Sequence, residues 1–349
     1  MSFHKKALYT DMTQNYLTPV EPMSHTRVKV RFRTGRGNVD RVTICYNGQK
    51  AIMRKDSFDD MFDYYAYHIR LTDEPIYYHF EVEAEDESCY YNRLGISKSE
   101  EARYDFILVP GFATPDWAKG AVVYQIYVDR FYNGDSSNDV VNDEYFYQGR
   151  PVKHAGHWND PVSRTDEGTF YGGDLQGIID KMDYLEGLGV EVLYLNPIFV
   201  SPSSHKYDIQ DYRHIDPHFG KIVNREECGL KDGYEQYRGI TTNRENLEAS
   251  DRLFARLVEE AHKRGMKVIL DGVFYCCGSW HRFMDKEGIY ANGDTCSIKG
   301  AYQDSNSPYR EYFQYKNPQD ANSYENWWGY EAYAKFNYEN SRKLYEYIL

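Results

Sequence analysis

From residue 24 to residue 109 apolar and polar positions alternate in short runs, the period of two that half-buried strands impose. Residues 25–32, 40–46, 64–70 and 76–83 read as strands, with T-G-R-G-N and Y-N-G-Q as turns. These elements predict an all-β sandwich of immunoglobulin size over residues 1–115. Gly35-Arg36-Gly37 has the look of a dinucleotide loop, but the third glycine and the following helix are missing, so it reads as a hairpin turn.

Pro110, Gly111 and Pro115 punctuate the chain, and the pattern then changes. Residues 122–128 are a nearly continuous apolar run, as in a strand covered on both faces. Residues 174–189 place Leu175, Ile178, Ile179, Met182, Leu185 and Leu188 on one helical face, and residues 190–195 form a second buried strand. Residues 250–265 repeat the helical period, with Leu253, Phe254, Leu257, Val258 and Ala261 inward, His262, Lys263 and Arg264 in the last turn, and Gly265 as the stop. Residues 267–273 are a third strand. Strands alternating with one-faced helices predict parallel βαβ units. The connections 196–245 and 274–338 are long. Structureless loops of that size usually carry function, and in barrels they gather at the C-terminal ends of the strands.

Charge and composition narrow the partners. With 41 Lys and Arg against 54 Asp and Glu, the net charge of −13 repels phosphate backbones and anionic leaflets, which argues against nucleic acid and membrane surfaces. The 35 Tyr, 17 Phe and 5 Trp exceed what a core needs. Rings with a polar tip suit partly wet surfaces that bind sugars or proteins, although compositional drift would give the same count. The N-terminus has no apolar h-region and no run reaches about 18 apolar residues, so neither signal peptide nor membrane span is expected and the location reads as cytoplasmic. Cys45, Cys89, Cys228, Cys276, Cys277 and Cys296 form no C-x-x-C pair, which fits free thiols in a reducing compartment.

Four segments in order carry a resemblance: AVVYQIYVDRFYNGDSSND, FYGGDLQGIIDKMDYLEGLGVEVLYLNPIF, SPSSHKYDIQDYRHIDPHFG and KVILDGVF. Together they resemble the α-amylase family of glycoside hydrolases, in its neopullulanase, cyclomaltodextrinase and maltogenic amylase branch. The resemblance implies a multidomain protein: a carbohydrate-binding-module-like sandwich (1–115), about three βα units of a TIM (β/α)8 barrel (116–275), a small domain inserted after strand three (276–335), and the start of barrel helix three (336–349). It further implies an α-glucan substrate (starch, maltodextrin, cyclodextrin or pullulan) cleaved with retention by a carboxylate pair. The family's nucleophile lies in G-x-R-x-D and a third Asp in a His-Asp pair. No G-x-R-x-D follows Asp271, no His-Asp dipeptide occurs, and only three of the eight strands can be assigned. The expectation is therefore a fragment, inactive alone, of a retaining glycosidase. The alternatives are a non-catalytic α-glucan-binding protein and a chain completed by a complementary barrel fragment; a homodimer is also compatible.

The resemblance also assigns residues. His205 and Tyr207, in S-H-K-Y-D, match positions lining the cleavage subsite, and Asp271 matches the carboxylate that steadies an active-site Arg. The motif D-x-V-x-N-H is altered, with Tyr275 and Cys276 in place of Asn and His. Asn133, Asp135, Asn138 and Asp139 crowd side-chain oxygens into one loop. By themselves they read as a polar turn; the resemblance carries them, with Gly172 and Asp174, to a structural Ca²⁺ site. Asp208 and Asp211 are expected to fix their loop by hydrogen bonds, and Asn196 and Pro197 to close strand two. His154 and His157 form H-x-x-H without a strong partner and read as solvated loop histidines, while Cys276 and Cys277 read as buried small residues. Trp327 and Trp328, with Tyr324, Tyr330 and Tyr333, form either a platform for glucose units or the core of the small domain.

Overall fold

A computed structural model describes residues 3–85, 87–162, 167–226, 231–291 and 298–348. Cys228, Cys296 and Leu349 lie outside these residues. The chain forms two compact units, Met1–Gly120 and Ala121–Leu349.

The first unit is the expected sandwich. One sheet runs in the order Leu17–Thr18, Arg27–Gly35, Phe62–Arg70, Arg54–Phe58. The other runs Gln49–Ile52, Arg41–Tyr46, Ile76–Ala84, Glu87–Asn92, Gly95–Ser97, with Phe106–Leu108 also paired to Ile76–Ala84. Alternation sends Val28, Val30 and Phe32 inward to meet Ile44, Tyr78 and Phe80, and the rings of Phe32 and Phe80 lie 4.6 Å apart. The strand expected from residue 25 starts at Arg27, because His25 has φ 61°, outside the extended region. Gln49–Ile52 and Arg54–Phe58 escape the pattern because they are polar edge strands, exposed on both faces. Y-N-G-Q is a two-residue hairpin with Asn47 and Gly48 at φ 43° and 76°. T-G-R-G-N is not a hairpin; its flanking strands lie in different sheets. Buried Asp63 holds that crossover by accepting from Gly37 N–H at 2.8 Å and pairing with Arg36 and Lys55.

In the second unit three parallel strands lie side by side in chain order: Val123–Ile126, Val192–Leu195 and Lys267–Leu270. The first is an edge strand rather than one covered on both faces, leaving Val122 and Val123 51% and 55% exposed. The third ends at Leu270, so Asp271 to Val273 lead out of the sheet. The helix expected over 174–189 is two, Leu175–Asp180 and Met182–Gly187, kinked at Lys181 (φ −102°, ψ 8°). Its stripe survives the kink, with Leu175, Ile178, Met182 and Leu185 buried, whereas Leu188 caps the end and is half exposed. The next helix, Arg244–Lys263, starts at Asn243, whose side chain accepts from the N–H groups of Glu245 and Asn246. Its first turns bury polar residues: Asn246 accepts from Val223 and Asn224 N–H, and Ser250 from Lys221 N–H. An apolar count therefore misses them. Leu257 and Ala261 are buried as expected and Gly265, at φ 75°, ends the helix.

Neither long connection is structureless. The first contains the antiparallel pair Phe199–Val200 and Asp211–Ile215 and the helix Glu235–Thr241. The second contains the sheet of Cys276–Gly278, Tyr330–Lys335 and Asn326–Trp327. Its core joins Cys277, Phe283, Met284, Tyr312, Phe313 and Tyr324 to Leu344 of the helix Arg342–Ile348. Cys45, Cys89, Cys276 and Cys277 are free and buried. Among the described residues no helix is long and apolar enough to cross a membrane.

Candidate functional site

The C-terminal ends of the three parallel strands frame the site. Asp271 follows the third strand, and its N–H still bonds Leu195 O at 2.9 Å, fixing its position against the second. The Tyr207 hydroxyl donates to Asp271 Oδ2 at 2.7 Å. Burial first, then this bond to a carboxylate, pushes the Tyr207 hydroxyl well above its ordinary value, so it remains a donor. His205 Nδ1 accepts from Tyr207 N–H at 3.0 Å, which in the neutral ring leaves the proton on Nε2. Nε2 faces the Tyr333 hydroxyl at 3.4 Å and Glu167 at 3.7 Å. The structure thus brings His205, Tyr207 and Asp271 together on one wall and adds Tyr333, from the aromatic cluster, and Glu167, which no local motif marks.

Lys206 fixes this wall. It sits between His205 and Tyr207 at φ 61°, and its fully buried ammonium donates to Ser201 O and Asp216 Oδ2, both at 2.7 Å. The charge also lies 4.7 Å from the Phe219 ring. Asp216 continues to His218 at 3.1 Å, and His218 to Glu144 at 2.9 Å, all buried. Burial opposes charge on His218, but Glu144 and Asp216 push it up to about 9. Burial would raise Asp216, yet Lys206 and His218 hold it well below the ordinary carboxylate range. Asp208 accepts from Ser201, Ser203 and Tyr147, the loop-fixing role expected of it. Asp211 accepts from the nearby Arg213 N–H at 2.8 Å, within the strand Asp211–Ile215. Asn196 accepts from Gln125 at 2.8 Å, tying the second strand to the first. At the altered motif, Cys276 is fully buried and burial pushes its thiol up to about 12, while Tyr275 is exposed.

The oxygen-rich loop converges on Asp174. Its carboxylate caps the helix Leu175–Asp180 through Gly177 N–H at 2.6 Å and also accepts from Gly134 N–H, Asp135 N–H and the Asn138 amide. Asn133 donates to Asp139 at 2.8 Å, and a Cβ on Gly172 (φ 80°) would lie 2.5 Å from both side chains. Asn138 Oδ1 is buried with no hydrogen-bond partner, and burial raises both Asp139 and Asp174. Asp135 departs from the expected set, since its carboxylate is engaged by Lys221 and Ser137. Among the described residues no three His, Cys, Asp or Glu gather as a metal site. The donors here are two carboxylates, two amides and Gly172, a hard set that fits Ca²⁺ and not zinc. His154 is not a solvated histidine: it is partly buried, with Nε2 3.2 Å from Asp139, whereas His157 is exposed.

The aromatic cluster divides. Tyr324 is in the core, but Trp328 and Tyr330 are exposed.

Comparison with known proteins follows the same division. The family model for the alpha amylase catalytic domain matches residues 125–228 and 235–349, and that for the alpha amylase N-terminal ig-like domain matches residues 1–109. An amylopullulanase of Thermoanaerobacter thermohydrosulfuricus is 39% identical over 238 residues, covering 63% of this chain and 14% of its own. Neopullulanase 2 of Thermoactinomyces vulgaris is 35% identical over 272 residues, 74% of this chain and 39% of its own. The solved type III pullulan hydrolase from Thermococcus kodakarensis superposes with a TM-score of 0.56 at 26% identity, over 98% of this chain and 52% of that one. The chain thus spans about half or less of the length of these relatives.

Proposed function

This chain belongs to the alpha-amylase family, and from that premise we propose that residues 1–349 furnish a sugar-binding wall of a retaining α-glucan hydrolase acting on starch, maltodextrin, cyclodextrin or pullulan. The observation that carries the reading is the Tyr207 hydroxyl held 2.7 Å from Asp271, beside His205, at the carboxyl ends of parallel strands. The Tyr207 ring offers an apolar face to a pyranose, and His205 Nε2–H offers a donor to a sugar hydroxyl. Asp271 orients the ring.

Retaining hydrolysis needs two carboxyl groups about 5–5.5 Å apart. The family's motif for its nucleophile, G-x-R-x-D, does not follow Asp271 and that for its third Asp, His-Asp, does not occur within residues 1–349, so these residues bind α-glucan without cleaving it. A non-catalytic α-glucan-binding protein is the second reading, favoured by buried Cys276 where the family has a sugar-facing His. Either reading includes a structural Ca²⁺ held by Asn133, Asn138, Asp139, Gly172 and Asp174, tying the loop to the helix start. The buried free thiols support a reducing, cytoplasmic location. The open sheet edge at Val123 supports a complementary barrel fragment or second copy as partner.

Tyr207→Ala tests the wall: maltose affinity should be lost while the melting temperature stays within a few degrees of the parent. Unchanged maltose affinity would contradict the assignment.

A further inference from the structure

The turn at Trp328-Gly329 is chemically out of place. Trp327 pairs with Tyr330, so these two residues form a two-residue hairpin loop, with φ 52° and 88°. Positive φ at both positions is the type I′ arrangement, which strongly favours Asn-Gly because a bulky side chain strains in the left-handed region. Here the first position holds the largest side chain available, 82% exposed. Neither backbone preference nor burial explains it. Strained backbone that presents a side chain is a mark of a site.

The ring is also connected. Trp328 stacks on Trp327 with centroids 4.6 Å apart and planes 9° from parallel, so one face is covered and the other is open to solvent. From Trp327 the rings continue to Tyr333 at 5.8 Å, to His205 at 6.5 Å and to Tyr207 at 5.9 Å. The strand Tyr330–Lys335 thus runs from the hairpin tip to the wall of the site.

We propose that the open face of Trp328 is a remote pyranose-stacking subsite, which binds a glucose unit of an α-glucan whose other end lies at Tyr207. This rests on the α-glucan reading above and adds a place that engages long chains. A disaccharide at Tyr207 is too short to touch both ends of the ring path; a heptasaccharide is not. The flat indole accepts the C–H face of a sugar ring and leaves the hydroxyls wet.

The test is calorimetric titration of the whole chain with maltose and with maltoheptaose, before and after Trp328→Asn. Asn suits the I′ turn, so the variant should melt no lower than the parent. The expected result is maltoheptaose binding about five- to tenfold weaker in the variant, with maltose binding unchanged. In the parent, maltoheptaose should also shield tryptophan emission from acrylamide quenching, a readout that needs no variant. Equal maltoheptaose affinity in the two proteins, with both sugars still bound, overturns the subsite and leaves the α-glucan reading intact. Loss of self-association in sedimentation on Trp328→Asn, without a change in sugar affinity, assigns the ring to a protein contact instead. Failure of the parent to bind either sugar overturns the α-glucan reading and the subsite with it.

Discussion

Lys206 shows how one residue can hold a site that it does not touch. Its ammonium is buried against Asp216, and its neighbours on both sides are His205 and Tyr207, the residues proposed to face the sugar. Removing one partner of a buried ion pair costs about 3–5 kcal/mol when the other is left alone, and here Asp216 keeps His218, so the lower end applies. Lys206→Met should lower unfolding stability by that amount in a denaturant titration and weaken maltose binding; replacing Asp216 by Asn as well should recover part of the stability. The same network sets a pH response. His218 is raised from 6.5 to about 9 by Glu144 and Asp216, so its protonation favours the fold. That contribution is complete below pH 6.5 and is lost as pH rises through about 9. Thermal melts should therefore fall across this window, with a shallower slope in His218→Gln. S-H-K-Y-D draws attention to His205 and Tyr207 in the sequence, but the depth of Lys206 is visible only in the fold. A lone lysine between polar residues looks like a solvated charge until Ser201, Asp216 and the rings of Phe170 and Phe219 surround it.

At the scale of elements, what was legible follows burial. Strands with one face in the core, such as Arg27–Gly35, show the period of two. The edge strands Gln49–Ile52 and Arg54–Phe58 do not, because nothing covers them. The start of the helix Arg244–Lys263 was hidden for the opposite reason: it is buried through Asn246 and Ser250, which satisfy backbone groups of residues 221–224. The oxygen-rich loop combines both cases. Its composition is visible in the sequence, but the turn of Asp135 toward Lys221 and the approach of His154 to Asp139 depend on tertiary contacts. Asp174 both caps a helix and gathers the loop, so Asp174→Ala should destabilise the chain by about 1–3 kcal/mol in a denaturant titration. Added Ca²⁺ should raise the melting temperature of the parent, chelator should reverse the rise, and Asp174→Ala should show neither effect.

For the whole molecule, the sequence separates the units well because their grammars differ, alternation before Pro110 and βαβ after it. The sandwich has its own core of Val28, Val30, Phe32, Ile44, Tyr78 and Phe80. Residues 1–120 are therefore expected to unfold cooperatively as an isolated piece, as read by circular dichroism. In the second unit the first strand leaves Val122 and Val123 open at a sheet edge, a surface that invites pairing. The whole chain should accordingly bind an apolar dye or self-associate more than the isolated sandwich does. The most direct measurement of the central claim uses a chain of confirmed intact mass and follows maltoheptaose by calorimetry and product chromatography together. Saturable binding that disappears in Tyr207→Ala, with no shorter sugars released, is the predicted result. Release of maltose or glucose by that chain, or no binding at all, would contradict it.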